Sequence, residues 1–317
     1  MQSIESIIIG GGPCGLSAAI EQKRKGIDTL VIEKGNVVDA IYKYPTHQTF
    51  FSSSDKESKP RRNQALVYYR EVVKHHQLNV RAFEEVLTVK KIDNKFTITT
   101  TKDVYECKFL TVATGYYGQH NKLEVKGAEL PKVQHYFKEA HPFFNLDVTV
   151  IGGKNSAVDA ALELEKAGAN VTVLYRGDRY SAAIKPWILP NFESLVNHEK
   201  ITMEFNANVT EITENSVIYE KNGKVTEIPN DHVFAMIGYH PDYDFLESIG
   251  IEINTNEYGT APVHNKETFE TNVENCYIAG VIAAGNDNNA IFIENGKYHG
   301  GIITQSILSK KQTPLES

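Results

Sequence analysis

The sequence predicts an α/β protein built from two Rossmann-like dinucleotide-binding domains. Three observations carry that prediction. Residues 6–33 read as strand, glycine turn, helix and strand. The same order returns over residues 147–177, and recurrence of a whole unit says more than a match of a few letters. A chain of 317 residues is also long for one hydrophobic core and comfortable for two.

The elements follow in order. "SIII" is an apolar run stopped by glycine, as expected of a strand buried on both faces of a parallel sheet. "LSAAIEQKRKG" has helical spacing and stops at Gly26. "DTLVIEKG" is a second buried strand, ending in Glu33. "NQALVYYREVVKHHQL" reads as a helix, and "EEVLTVKKIDNKFTITTTKDVYECKFLTVATG" as hairpin strands. In the second unit the helix stops at Gly168. Strands follow through "ITMEFNANVTEITENSVIYEKNGKVTEIPNDHVFAMIG", with a tight turn at "KNGK". "GYHPDYD" reads as a linker and "CYIAGVIAAG" as a buried strand and turn. "NGKYHGGIITQSILSKK" reads as one closing helix, and "QTPLES" as a loose tail.

Gly10-Gly11-Gly12-Pro13-Cys14-Gly15 matches G-x-G-x-x-G between a strand and a helix. In that pattern Gly10 permits the turn, Gly12 lets the backbone approach a pyrophosphate, and Gly15 allows close helix–strand packing. The helix start presents unpaired N–H groups and partial positive charge to the anion. Glu33 falls where an acid accepts the ribose hydroxyls, with Lys34 beside it as a further contact. The second motif is Gly152-Gly153-Lys154-Asn155-Ser156-Ala157, with Lys154 in the place of the middle glycine. Asn155 and Ser156 are expected to donate to phosphates at their helix start. The next strand ends not in an acid but in "YRGDR". Arg176, helped by Arg179, can grip a 2′-phosphate bidentately, which favours NADPH over NADH. Two cradles imply two dinucleotides, FAD in the first and NADPH in the second, with hydride passing from nicotinamide to flavin. The expected domains are FAD-binding residues 1–115 and 240–317, with an inserted NADPH-binding domain at 116–239.

Composition bounds the partners. Hydrophobic content of 41% and charged content of 23% suit a soluble globular protein. A net charge of −7 argues against a general nucleic-acid binder, which needs excess Lys and Arg to displace counterions. "MQSIESIIIGG" has neither a basic n-region nor a cleavage site, and no apolar run is long enough to span a bilayer. The three cysteines, Cys14, Cys107 and Cys276, are odd in number and far apart. No disulfide framework is expected, and a cytoplasmic location fits. No metal-ligand spacing stands out.

The chain resembles the two-dinucleotide-binding-domain flavoproteins of the thioredoxin-reductase-like group. The resemblance covers nearly the whole sequence: GGGPCG with Glu33, Ala113-Thr114-Gly115, GGKNSA with Arg176, and the late "YIAG" strand. Within that group, "YPTHQTFFSSSD", "ATGYYGQHN" and "AGVIAAGN" look like the bacilliredoxin reductase family, also called bacillithiol-disulfide reductase. That resemblance implies a cytoplasmic NADPH-dependent FAD enzyme that acts on bacillithiol disulfide or on a bacilliredoxin, and a homo-oligomer, dimer or tetramer. It places Thr114, Gly115 and Gly280 at the flavin. Three departures stand out. Where thioredoxin reductases carry C-x-x-C, this chain reads His135-Tyr136-Phe137-Lys138. The flavin-site acid expected after "YIAG" is Val281, leaving Asp287 as a substitute. Residues 52–62 are also short, with a longer, partly apolar segment expected between Lys56 and Glu57.

Cys14 is the candidate catalytic residue. It lies at a helix start, where the dipole lowers a thiol pKa, and it could accept electrons from flavin. The plain alternative is a small apolar filler. Cys107 and Cys276 sit in strands and read as core. Tyr42, Tyr44 and His47 follow the second strand, where a loop could cover the flavin. His299, Gly300 and Gly301 open or precede the last helix, whose start could stabilise charge on reduced flavin. Two other enzyme readings remain open at the level of motifs: a flavin monooxygenase, suggested by "ATGYY", and a ferredoxin–NADP reductase, suggested by the missing C-x-x-C. A non-enzymatic redox-sensing flavoprotein is the third.

Overall fold

The computed structural model describes residues 2–48, 60–257, 259–287 and 290–312. The short segment around Lys56 and Glu57, and residues 313–317 of the expected tail, lie outside them. In chain order the elements begin with β1 (Gln2–Ile9), α1 (Pro13–Arg24), β2 (Thr29–Glu33), α2 (Asp39–Lys43), α3 (Arg62–His75), β3 (Val80–Ala82), β4 (Val86–Ile92), β5 (Lys95–Thr100) and β6 (Val104–Val112). They continue with β7 (Val133–Gln134), β8 (Asp147–Ile151), α4 (Asn155–Lys166), β9 (Asn170–Tyr175), α5 (Leu189–Asn197), β10 (Ile201–Phe205), β11 (Asn208–Ile212), β12 (Ser216–Lys221), β13 (Lys224–Pro229) and β14 (His232–Ala235). The last are α6 (Tyr243–Ser248), β15 (Ile253–Asn256), β16 (Gly259–Pro262), β17 (Cys276–Ile278), α7 (Ile293–Gly296) and α8 (His299–Gln312).

Two units divide the chain. The first comprises Met1–Lys43, Gln48–Gln119 and Tyr239–Ser317; the second comprises Tyr44–His47 and His120–Gly238. The first holds a sheet in the order β3-β2-β1-β6-β5-β4. β6 is long enough to serve two partners on one side. Its start pairs antiparallel with β5, and its end pairs parallel with β17, Cys276 opposite Leu110. β1 runs parallel to both β2 and β6. Its residues feed opposite cores in turn: Ile7 and Ile9 join one cluster, Ile8 the other. That alternation across a sheet covered on both faces is why the run is apolar throughout.

The second unit repeats the plan. Its parallel sheet runs β10-β9-β8-β14-β7, with an antiparallel β11-β12-β13 sheet beside it in the same unit. Val148 and Val150 of β8 face the core under α4, while Ile151 joins the opposite cluster. In both units the strand order reverses beside the first strand, between β1 and β6 and between β8 and β14. A doubly wound sheet binds ligands at that reversal, outside the carboxyl ends of its strands.

Two expectations change, and one hairpin has no counterpart in the sequence pattern. The "GYHPDYD" linker runs into α6, which Asp242 caps by accepting from the Phe245 N–H at 3.1 Å. The single closing helix is two, α7 and α8, broken between Gly296 and His299. The β15–β16 hairpin, joined antiparallel from Ile253 to Pro262, follows no strong alternation in the sequence.

Candidate functional site

The first cradle sits at the β1/β6 reversal. Gly10 has φ +112°, and a Cβ there would run into the carbonyl of Ala113, just past β6. A Cβ on Gly15 would strike the Gly10 carbonyl. Gly12 differs: nothing lies within 4 Å of where its Cβ would be, and its backbone is in an ordinary extended conformation. The fold therefore requires glycine at 10 and 15 but not at 12. Open space at Gly12 is what a closely approaching pyrophosphate needs. Pro13 opens α1, and no side chain caps the helix start, which leaves its N–H groups for an anion. Across the crevice, Thr114 is exposed, and Gly115 has φ +68° with open space beside it.

Glu33 is buried at the end of β2. Its Oε2 accepts from the Gly11 N–H at 2.7 Å and its Oε1 from the Gly35 N–H at 2.8 Å. Burial pushes the carboxyl above its usual range, and those two N–H groups pull it back. Each oxygen keeps a lone pair for a ribose hydroxyl. Lys34 is exposed, its Nζ beside Gly118. These residues fit a bound dinucleotide.

Cys14 does not have the low pKa expected of a helix start. Its side chain packs against two other glycines. A Cβ on Gly280 would stand 3.0 Å from its Sγ, and one on Gly296 2.9 Å. Burial there pushes the thiol up to about 11, outweighing the helix start. Cys107 and Cys276 are buried, and all three thiols are free.

The start of α8 is also a correction. His299 is buried and stacks on Phe269, ring centroids 3.9 Å apart. Its Nδ1 accepts from the Gly280 N–H at 3.2 Å, so the neutral ring holds the turn after β17. A Cβ on Gly300 would strike the backbone of Ala18, so that glycine lets α8 lie against α1. Beside Gly301 there is open space. Val281 lies half-buried in the turn after β17, and Asp287 is exposed beyond it.

This neutral imidazole has a consequence for stability. Burial, then His264, lowers the His299 pKa from 6.5 to about 4. Between those values the unfolded chain takes a proton that the folded ring refuses. The contribution is complete above pH 6.5 and is lost as pH falls toward 4, about 3 kcal/mol in all. His232 in the second unit is also lowered to about 4, by burial and then Lys132. Urea unfolding at pH 7 and pH 5 should show the loss, and His299→Gln should shrink it by its own share.

The second cradle sits at the β8/β14 reversal. Gly152 has φ +141°, and a Cβ there would strike the carbonyl of Met236, just past β14. The counterpart in the first cradle is Gly10 against Ala113. Gly153 and Gly177 make room for the Tyr175 ring, a demand the motif does not announce. Lys154 is exposed at the start of α4 with an extended backbone that needs no glycine. No side chain caps α4. Ser156 and Arg176 are exposed, and Arg176 has no hydrogen-bond or ionic partner among the described residues. Arg179 pairs with its neighbour Asp178 at 3.1 Å through both Nε and Nη2. Asn155 departs from expectation: its amide bonds residues 183 and 185 rather than facing the helix start.

His47 takes a different place from the one expected. It lies with the second unit, its Nδ1 3.9 Å from Glu163 Oε2 and its ring centroid 5.9 Å from that of Phe137. Tyr44 belongs to that unit too, whereas Tyr42 lies in the first under the Arg62 guanidinium, 5.2 Å from the ring centroid. In the segment that replaces C-x-x-C, His135 stacks on His120 at 3.7 Å and Phe137 is core. Among the described residues no cluster of His, Cys, Asp or Glu could hold a metal ion, and no helix is long and apolar enough to cross a membrane.

Comparisons with known proteins agree with this geometry. A family model described as pyridine nucleotide-disulphide oxidoreductase matches residues 7–280. Bacilliredoxin reductase from Bacillus subtilis (strain 168) is 59% identical over 320 residues, covering 97% of this chain and 98% of that protein. The solved bacillithiol disulfide reductase of Staphylococcus aureus matches with a TM-score of 0.96 at 79% identity, covering 98% of this chain and 100% of that one. The Bacillus cereus structure of the same description matches with a TM-score of 0.94 at 55% identity, over the same shares.

Proposed function

The chain belongs to the pyridine nucleotide-disulphide oxidoreductase family, and from that premise we propose that it uses NADPH and FAD to reduce bacillithiol disulfide or a bacilliredoxin carrying bacillithiol. The observation that carries the reading is the pair of matched glycine cradles at two strand-order reversals in one chain. The 59% identity to a bacilliredoxin reductase supports a disulfide acceptor over the monooxygenase, ferredoxin reductase and sensor readings.

In this reading the first unit is the FAD domain and the second the NADPH domain. Gly10, Gly12, Gly15 and the start of α1 hold the FAD pyrophosphate, and Glu33 its ribose. Gly152, Ser156 and the start of α4 receive the NADPH pyrophosphate, and Arg176 its 2′-phosphate. FAD held there would supply the acceptor for the NADPH hydride and the two electrons needed for one disulfide. Cys14 is the chain's own thiol for the exchange. As thiolate it attacks one sulfur of bacillithiol disulfide, forms a mixed disulfide and releases one bacillithiol thiolate, which takes a proton from water. Two electrons and a proton then restore Cys14 and release the second bacillithiol. The sum is NADPH, a proton and one disulfide to NADP+ and two thiols. A cytoplasmic setting and a dimer or tetramer belong to the same reading.

The test is NADPH consumption by flavin-loaded protein with bacillithiol disulfide, and separately with bacillithiolated bacilliredoxin. Turnover should exceed the air-oxidation background with at least one of them; background rates with both would end the reading. Arg176→Ala should raise the KM for NADPH about tenfold, with kcat unchanged and discrimination against NADH reduced. An unchanged KM would remove Arg176 from the site.

A further inference from the structure

Asn155 is the first residue of α4, yet its side chain bonds a loop about thirty residues on. Nδ2 donates to the Ala183 carbonyl at 2.8 Å, and Oδ1 accepts from the Lys185 N–H at 2.9 Å. One amide thus holds the backbone on both sides of Ile184. That loop is anchored in other ways too. Ile184 is buried in the core under α4. Tyr180 stands edge-on to Phe192 and Phe205, at 6.0 and 5.0 Å. Ser181 closes the turn, its carbonyl accepting from the Ile184 N–H at 3.0 Å and its hydroxyl from the Ala183 N–H at 3.2 Å. Residues 176–182 therefore form an arc held at one end by β9 and at the other by Asn155. Arg176 and Arg179 lie on that arc, and both are exposed.

We propose that Asn155 is a positioning residue for recognition of the 2′-phosphate: it fixes the arginine arc against the helix start that receives the pyrophosphate. The proposal rests on the reading of this cradle as the NADPH site. Its physical basis is preorganisation. An arginine grips a phosphate bidentately only in one geometry, and a loose arc has to be ordered each time a ligand binds. The carboxamide donates to one loop backbone group and accepts from the other, which neither an apolar side chain nor an ionised carboxylate can do. The Asn155 side chain is taken up by the loop backbone and acts through the arc.

The experiment measures binding, not turnover. Flavin-loaded protein is titrated calorimetrically with adenosine 2′,5′-bisphosphate (2′,5′-ADP) and with 5′-AMP, which differ only in the 2′-phosphate. Wild type should prefer 2′,5′-ADP. Asn155→Leu, similar in size but without hydrogen bonds, should weaken 2′,5′-ADP about tenfold, ~1.4 kcal/mol, and 5′-AMP less than twofold. Trypsin should cut the variant faster after Arg176 or Arg179, and 2′,5′-ADP should protect it less. If Asn155→Leu does not fold, Asn155→Ala, a good helix former, gives the same readout. Unchanged binding of 2′,5′-ADP would overturn the proposal. So would equal weakening of both nucleotides, which would place Asn155 in the service of the helix start alone. A wild type that binds both nucleotides alike would instead sink the NADPH reading beneath it, and Arg176→Ala would then also change nothing.

Discussion

Cys14→Ala is expected to lower turnover with bacillithiol disulfide at least 100-fold, while bound flavin and the reduction of ferricyanide, which needs no thiol, persist. The expectation has to survive the environment of the thiol. At a pKa of about 11, Cys14 is thiolate in roughly one molecule in 10,000 at pH 7. An ordinary thiol of pKa ~8.5 would be thiolate in about 3%. Burial thus removes a factor of about 300 in the reactive form. A more basic thiolate is also a better nucleophile, which returns about tenfold over that pKa range. The net penalty is near 20–30-fold, too small to exclude an enzyme thiol positioned by its site. It does leave a signature. Where attack limits the rate, the disulfide-dependent rate should climb about tenfold per pH unit from pH 7 to 9, with no plateau near 8.5. Wild-type turnover by Cys14→Ala would make the thiol a filler between Gly280 and Gly296, and the acceptor would then meet its electrons without a protein thiol.

What could be read from the sequence, and what could not, divides along one physical line. Gly15 answers to sterics within its own strand–turn–helix unit, and Gly10 and Gly152 also carry the positive φ that the local turn needs, so the short pattern suffices to find them although Ala113 and Met236, far away in sequence, crowd the latter two. Glu33 is legible for the same reason, because β2 brings it beside the glycine turn. The two doubly wound sheets follow from the repeat of that unit. The failures come from partners far away in sequence. His47 follows the first unit's helix α2, but the backbone bond from Thr46 N–H to the Lys138 carbonyl and the approach to Glu163 place it in the second unit. Cys14 has the right local setting for a reactive thiol, and its burial comes from Gly280 and Gly296 near the other end of the chain. Asn155 matches a phosphate-donor position, but its amide is taken by a loop whose position no local pattern specifies. His299 opens a helix as expected, and tertiary contact with Phe269 and Gly280 turns it into a packing group.

The contrast between Gly15 and Gly12 gives the other large expected effect, and it separates folding from binding within one hexapeptide. Gly15→Ala puts a methyl group against the carbonyl of Gly10, backbone against backbone, with no flexible side chain to move aside. Overpacking of that kind costs about 3 kcal/mol, and the whole β1–α1 turn should shift with it. The protein should unfold at lower urea even without flavin, and should purify colourless. Gly12→Val meets no such obstacle. Its φ of −75° and ψ of 175° suit any residue, and the space beside it is open. Apoprotein stability should fall by no more than about 1 kcal/mol, the cost of Val in place of Gly at a helix N-cap. The branched side chain would fill the volume a pyrophosphate needs, and retention of flavin, read from its visible absorbance, should fall at least 100-fold. A Gly12→Val protein that keeps its flavin would show that the open space at α1 is not where the dinucleotide lies. A Gly15→Ala protein as stable as wild type would mean that the close approach of α1 to the Gly10 carbonyl can relax, contrary to the packing of the cradle.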